Sequence, residues 1–285
     1  MAILKIAIQK NGRLSDNSRE LLAECGIKFS NGTAALKSNA VNFPVEALFL
    51  RDDDIPQYVE QKVADIGIIG ENVVYEKKKD IKVVEHLGFA SCKLSLAIPK
   101  EETYTGIGYF MNKKIATSYP VILNDFLQKH QITAEVEEIS GSVEIAPGIG
   151  LANAICDIVS SGSTLLANGL VEVETILKSQ AVIVANKNLD PEKESVLEDL
   201  LFRIRTVKSA RKNKYILLNA PESSIDEICN ILPGMKSPTI LPLAKKGWCS
   251  IHSVVGENEF WERINLLKKA GAENILIIPI EKMIL

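Results

Sequence analysis

Histidine is scarce in this chain: His86, His130 and His252 are the only three, and they stand far apart. The five cysteines (Cys25, Cys92, Cys156, Cys229 and Cys249) are scattered singly, with no CxxC pair. Structural zinc needs clustered thiolate or imidazole ligands, and a disulfide scaffold needs a dense cysteine framework. Both are excluded. Single thiols fit a reducing compartment. The amino-terminal stretch MAILKIAIQKNGR is broken by Lys5 and lacks a small-residue cleavage signature, which adds an expectation of a cytoplasmic protein. Long apolar runs are also missing, since no stretch approaches the roughly 18 residues of a membrane span. Nor is positive charge in excess, because 36 acidic and 33 basic side chains leave a net charge of −3. A nucleic-acid footprint calls for a positive domain, so that partner is disfavoured. An anionic small molecule remains possible if a few cations gather at one place.

What remains is an ordinary globular composition, 46% hydrophobic and 24% charged over 285 residues. At about 150 residues per domain this suggests two domains, or three small ones. Residues 3–9 read as a strand, followed by the turn Lys10-Asn11-Gly12-Arg13. Ser15 is placed to cap a helix that Gly26 stops near Cys25. Apolar runs at 47–50, 66–69 and 94–98 alternate with helix-like segments, including 55–63, as in an α/β domain with a mostly parallel sheet. The pattern restarts with a strand at 114–117, a helix opened by Pro120 (120–130) and a strand at 133–139. Residues 148–155 read as a helix and 157–159 as a short strand. Strands within 174–185 are long enough to cross back, giving two lobes with a cleft. Val196, Leu200, Ile204 and Val207 make 191–211 one amphipathic helix. After it, βαββαβ spacing (214–219, 223–231, 239–243, 248–255, 257–270, 275–280) indicates a ferredoxin-like arrangement.

Chemistry concentrates after strands. In Asp157-Ile158-Val159-Ser160-Ser161-Gly162-Ser163-Thr164-Leu165 a short strand meets four hydroxyl residues around a glycine and then a helix. Such a turn aims backbone N–H groups at one point and suits a phosphate; an ordinary capped strand–helix turn is the competing reading. Asp157 is placed to accept from ribose hydroxyls or to help hold a magnesium ion. The loop has no P-loop lysine, which points to a monophosphate. Lys10, Gly12 and Arg13 follow the first strand, and Arg51 follows the strand at 47–50. In open α/β sheets ligands collect at such strand ends, so these cations suit a di- or triphosphate. Asp52, Asp53 and Asp54 read better as an acidic helix cap than as a metal site. Gly148-x-Gly150 and Gly106-x-Gly108 lack the third glycine and preceding strand of a dinucleotide site.

These residues lie in longer motifs that closely resemble the long form of the ATP phosphoribosyltransferase family over essentially the whole chain. The motifs are IAIQKNGRLSDNSRELLAECGI (6–27), RDDDIP (51–56), ADIGIIGEN (64–72), KIATSYP (114–120), SGSVEIAP (140–147), GLANAICDIVSSGSTLLANGL (150–170), SPTILPL (237–243) and IPIEKM (278–283). The resemblance implies an α/β, two-lobed, periplasmic-binding-protein-like catalytic core with a carboxy-terminal ferredoxin-like (ACT-like) regulatory domain. Lobe I is expected over 1–98 with 172–205, lobe II over 99–171 and the regulatory domain over 212–285. It also implies attack of the ATP adenine N1 on C1 of 5-phosphoribosyl-1-pyrophosphate, releasing pyrophosphate, with Mg²⁺ held mainly by substrate phosphates. Lys10, Arg13 and Arg51 would then surround the phosphates, with Gly12, Tyr119 and Glu144 in the nucleotide and ribose region and the 157–165 loop on the 5-phosphate. Histidine is the implied feedback inhibitor, at Asn219, Ser237 and Thr239, and dimers assembling into hexamers are the implied oligomers. Where many members carry Gly-Leu-Ala-Asp, this chain has Asn153, which puts a metal role there in doubt. The rival reading is a non-catalytic two-lobed small-molecule sensor.

Overall fold

In the computed structural model, which describes residues 2–30, 36–160, 162–232, 234–235 and 237–284, β1 (Leu4–Gln9) leads into α1 (Arg13–Glu24). There follow β2 (Lys37–Asn39), β3 (Val45–Leu50), α2 (Ile55–Glu60), β4 (Ile66–Gly70), α3 (Glu71–Lys77) and β5 (Ile81–His86). A second series begins at β6 (Cys92–Pro99) and runs through β7 (Lys114–Thr117), α4 (Pro120–Lys129), β8 (Glu135–Glu138), β9 (Ala154–Val159), α5 (Ser163–Ala167) and β10 (Leu170–Ser179). β11 (Ala181–Asn186) returns to the first sheet, whose order is β2-β3-β1-β4-β11-β5; the second is β10-β6-β9-β7-β8. β1 runs parallel to β3 and β4, and β7 runs parallel to β8 and β9. Each sheet therefore gathers the carboxyl ends of three strands at one edge.

All six residues of β11 are buried, as expected for a central strand covered on both faces. The lobes divide where the sheets divide. β6 and β10 pair with each other, and β6 with β9, so the chain enters the second lobe before Cys92 and leaves it after Ser179, rather than at 98 and 172. The crossings are residues 87–91 and the single residue Gln180.

Two local expectations fail for identifiable reasons. Residues 148–155 are not a helix. Gly150 sits at φ 75, and the Asn153 N–H donates to Lys114 O at 2.8 Å, which commits the segment to β9. Ala154, Ile155 and Cys156 are all fully buried, and a strand buried on both faces shows no alternation to separate it from a helix. Ser15 does not cap α1 either: Gly12 is the cap residue, and the buried Ser15 hydroxyl donates to Lys10 O at 3.2 Å. β2 and β5 had no separate sequence signal.

The chain forms two units, Met1–Glu198 and Asp199–Leu285. The division falls inside α6 (Pro191–Lys212), earlier than the expected linker. Val196, Leu200, Ile204 and Val207 are buried along that helix. The second unit continues with β12 (Asn213–Pro221), α7 (Ile225–Ile231), β13 (Thr239–Pro242), β14 (Trp248–Gly256), α8 (Glu257–Lys269) and β15 (Glu273–Pro279). Its antiparallel order β13-β14-β12-β15 is that of a ferredoxin-like βαββαβ sheet, packed on Ile228, Phe260 and Leu267 of its two helices. No helix among the described residues is long and apolar enough to cross a membrane.

Close packing in the first sheet makes one glycine obligatory. A Cβ on Gly67 would stand 2.4 Å from Ile55 Cγ2, and Ile55 is a fully buried, β-branched residue of α2. Gly67→Ala should lower stability by about 1–3 kcal/mol through overpacking, read as a lower denaturant midpoint with an unchanged slope.

Candidate active site

Register brings the first group of residues together. Gln9 pairs with Leu50 at the ends of β1 and β3, and the Lys10 N–H donates to Leu50 O at 2.8 Å. The turns Lys10–Arg13 and Arg51–Asp54 are thereby tied side by side. Gly12, at φ 94, heads α1. Lys10, Arg13 and Arg51 are exposed, and none of the three has a carboxylate partner among the described residues. These three unpaired cations share adjoining turns, next to the carboxylates Asp52, Asp53 and Asp54.

The facing edge of the second sheet is cross-tied as well. Thr117 Oγ1 donates to Cys156 O at 2.7 Å and accepts from the Tyr119 N–H at 2.9 Å. Ser118 Oγ donates to Ile139 O at 2.7 Å, fixing the start of the loop that carries Glu144 in a short 3₁₀ turn (Val143–Ile145). After β9 the chain passes Ser160 and reaches Gly162, whose φ of 76 is a left-handed conformation that glycine adopts without penalty. Gly162 starts α5, with Ser163 and Thr164 exposed and Leu165 buried beneath them. The first-turn amides of a helix have no acceptor within it. Ser161 lies outside the described residues.

Electrostatics locate the cleft between these edges. Burial pushes the Asp157 carboxyl up from its ordinary value; the Ile158 amide, donating to Oδ1 at 2.8 Å, opposes this and the nearby Glu144 charge adds to it. Burial also raises the Tyr119 phenol far above its usual range, reinforced by Asp157 from its own lobe and by Asp52 and Asp53 from the other. Tyr119 therefore stays protonated, within electrostatic reach of carboxylates of both lobes. The acidic turn Asp52–Asp54 does precede α2, with Asp54 at its cap position, but no side chain there makes a capping hydrogen bond, and Asp53 pairs with Lys77 at 3.2 Å. Near the crossings a cavity of about 400 Å³ is lined by Glu71, Cys92, Ser160, Lys178, Ser179 and Gln180. It was not foreseen, because its residues come from four separate segments. Asn153 lies at the far end of β9, its Oδ1 accepting from the Lys114 N–H at 2.9 Å, so it serves strand pairing. Among the described residues no three or more His, Cys, Asp or Glu side chains form a metal-holding group.

In the second unit, Asn219 pairs with Ser250 and Thr239 with His252. All four share the sheet face opposite the core. A hydrogen-bonded track runs along it, with Tyr215 Oη 2.7 Å from His252 Nδ1 and Ser250 Oγ 3.1 Å from Nε2. Tyr215, Ser250 and His252 escaped the sequence reading, although the period of two links them. Ser237 is exposed just before β13.

Comparison with known proteins agrees with this architecture. Residues 51–206 match the family model for ATP phosphoribosyltransferase, and residues 210–282 match the model for the HisG C-terminal domain. An ATP phosphoribosyltransferase of Cytophaga hutchinsonii is 57% identical over 282 residues, 99% of each chain. That of Bacteroides thetaiotaomicron is 56% identical over 282 residues, 99% of this chain and 100% of the relative. Among solved structures, one titled "ATP phosphoribosyl transferase (HisG:HisZ) complex" from Thermotoga maritima superposes with a TM-score of 0.62 at 28% identity. It covers 71% of this chain and 99% of its own. The substrate-binding protein of an amino acid ABC transporter shares the two-lobed fold alone, with a TM-score of 0.50 at 10% identity over 73% of this chain and 94% of that one. With full-length relatives at this identity and a family model across more than half its length, the chain belongs to the ATP phosphoribosyltransferase family.

Proposed function

We infer that this protein joins N1 of the adenine of ATP to C1 of 5-phosphoribosyl-1-pyrophosphate, forming phosphoribosyl-ATP and releasing pyrophosphate at the entry to histidine biosynthesis. One observation carries the assignment of the site. Two edges of parallel-strand ends, one with unpaired cations and one with a hydroxyl-rich loop, flank Tyr119, which feels carboxylates from both lobes.

The division of labour follows from charge. As the C1–O bond breaks, negative charge grows on pyrophosphate and positive charge on the ribose. Lys10, Arg13 and Arg51 meet the former, while Asp157 and Glu144 face the latter. Gly12 lets the backbone approach the nucleotide, and the Tyr119 hydroxyl donates to it. Ser160, Gly162, Ser163 and Thr164, with Leu165 beneath them, form the cradle for the 5-phosphate, supplying hydroxyls and first-turn amides. Adenine N1 is itself the nucleophile, so no general base is required, and fixed charges held in place supply most of the catalysis. The side chains present would suit a magnesium ion carried chiefly by the substrate's own phosphates, where it would neutralise charge, and Asp157 is the carboxylate that would help to hold it. Release of pyrophosphate on mixing ATP, phosphoribosyl pyrophosphate and magnesium tests the reading; binding without release would instead favour the sensor.

The second unit is the regulatory part of this proposal, with histidine as inhibitor on the face that carries Asn219 and Thr239, near Ser237. Assembly as a homo-oligomer, from dimers to hexamers, in the cytoplasm completes it.

Four outcomes follow. Thr164→Ala should weaken phosphoribosyl pyrophosphate binding by about 10- to 100-fold, the loss of one hydrogen bond to a charged group, and neutralising Lys10 or Arg13 should cut turnover with little change in melting temperature; substrate titration and calorimetry check both. Asp157→Asn should raise the melting temperature at pH 7 while impairing turnover. The folded carboxyl is raised, so its ionisation opposes folding above the unfolded value, and the advantage of the variant should shrink as pH falls and vanish below about 3, where the carboxyl is protonated in both states. Thr239→Ala should raise the histidine concentration for half-inhibition by about 5- to 10-fold and leave uninhibited turnover unchanged.

A further inference from the structure

We propose that Glu76 is a positioning residue for the reaction, a carboxylate of one lobe that caps the helix carrying Tyr119 in the other; the proposal rests on the placement of Tyr119 in the cleft. Glu76 lies on α3, in the first lobe, and is buried. Its Oε1 accepts from the Val121 N–H and its Oε2 from the Ile122 N–H, each at 3.0 Å. These are first-turn amides of α4, in the second lobe, and α3 and α4 meet again outside through the exposed pair Lys78–Asp125 at 2.7 Å.

The donors at the start of α4 are all accounted for. Pro120 has none, and the Tyr119 N–H goes to Thr117 Oγ1. The Leu123 N–H closes the helix onto Tyr119 O at 3.1 Å, and the remaining two go to Glu76. The cap position itself is Tyr119, which makes no side-chain cap bond. At that position serine, threonine, aspartate or asparagine ordinarily satisfies the first-turn amides locally. Here the capping is done from the opposite lobe, and the cap position is left to the half-buried Tyr119, within electrostatic reach of Asp157, Asp52 and Asp53. A carboxylate at a helix amino terminus is also favoured by the helix dipole. The same two hydrogen bonds fix the spacing of the lobes at the cleft wall, so Glu76 sets where the Tyr119 hydroxyl stands relative to Asp52, Asp53 and Asp157.

The test uses the full-length enzyme with Glu76→Gln, Tyr119→Phe, the double variant and Lys78→Ala. The glutamine keeps the volume but turns one acceptor into a donor facing an amide. KM for phosphoribosyl pyrophosphate or ATP should rise by about 10-fold, in the range of one charged hydrogen bond, with kcat changed far less. Amide exchange in the 119–124 segment should quicken. The double variant should be no worse than the poorer single one, because both act on the same hydroxyl, and Lys78→Ala should match the parent. Glu76→Gln kinetics equal to those of the parent would overturn the proposal. So would additive effects in the double variant, or a loss of kcat in step with the folded fraction at constant KM. A silent Tyr119→Phe would instead sink the cleft assignment itself, and with it this role, whereas an impaired Tyr119→Phe beside a silent Glu76→Gln removes the role of Glu76 alone.

Discussion

Parallel pairing of β1 with β3 and of β7 with β9 is the constraint from which the site follows. Parallel strands end on the same edge, so the register Gln9–Leu50 and the register Thr117–Cys156 deliver four loops to two edges. The hydrogen bond Lys10 N–H to Leu50 O then locks the two loops of the first edge at the height of the last strand residues, and Thr117 Oγ1 to Cys156 O ties the end of β7 to the middle of β9. Nothing in the loops themselves could do this, because a turn such as Lys10–Arg13 has no core of its own. Its position is inherited from the fully buried Ile6, Ala7 and Ile8 a few residues earlier.

On those edges charge is arranged at a cost to folding. Lys10, Arg13 and Arg51 lie on adjoining turns without carboxylate partners, while Asp157 is half-buried with one amide to satisfy it among the described residues, so both signs are left partly uncompensated. A protein selected for stability alone would pair them. Separated across a cleft, they suit a substrate that divides into a polyanion and a cationic ribose, and fixed charges need no reorganisation as that division occurs. In the proposed site the protonated Tyr119 is the neutral donor between the two; its backbone N–H is held by Thr117 of its own lobe, and the helix it heads is capped by Glu76 of the other.

Much of this was legible in the sequence, and the parts that were not share a cause. β7, the start of α4 at Pro120, the hydroxyl-rich turn and the βαββαβ order were readable because each depends on neighbours in sequence: a proline at N1, a glycine at positive φ, a period of two. The long motifs gave the family. By contrast, Gly148–Ile155 misled because the apolar run Ala154–Cys156 is buried on both faces and carries no period. Glu76 was invisible because its partners lie 45 and 46 residues away, and the cap it provides is normally sought on the helix itself. The effect of Asp52 and Asp53 on Tyr119 was invisible for the same reason, since only the fold brings the two segments within electrostatic reach. The lobe boundary was misplaced because β6 and β10 look like any other strands until their pairing with β9 is known.

Hydrogen exchange of the full-length protein, with and without phosphoribosyl pyrophosphate and magnesium, tests the central claim most directly. The account predicts slowed exchange in the segments around Lys10–Arg13, Arg51–Asp54, Tyr119 and Asp157–Asn168, the strand ends of both lobes. Slowing confined to the opposite edge of the second sheet, around Lys114 and Asn153, or to the second unit, with the strand-end loops unchanged, would contradict it.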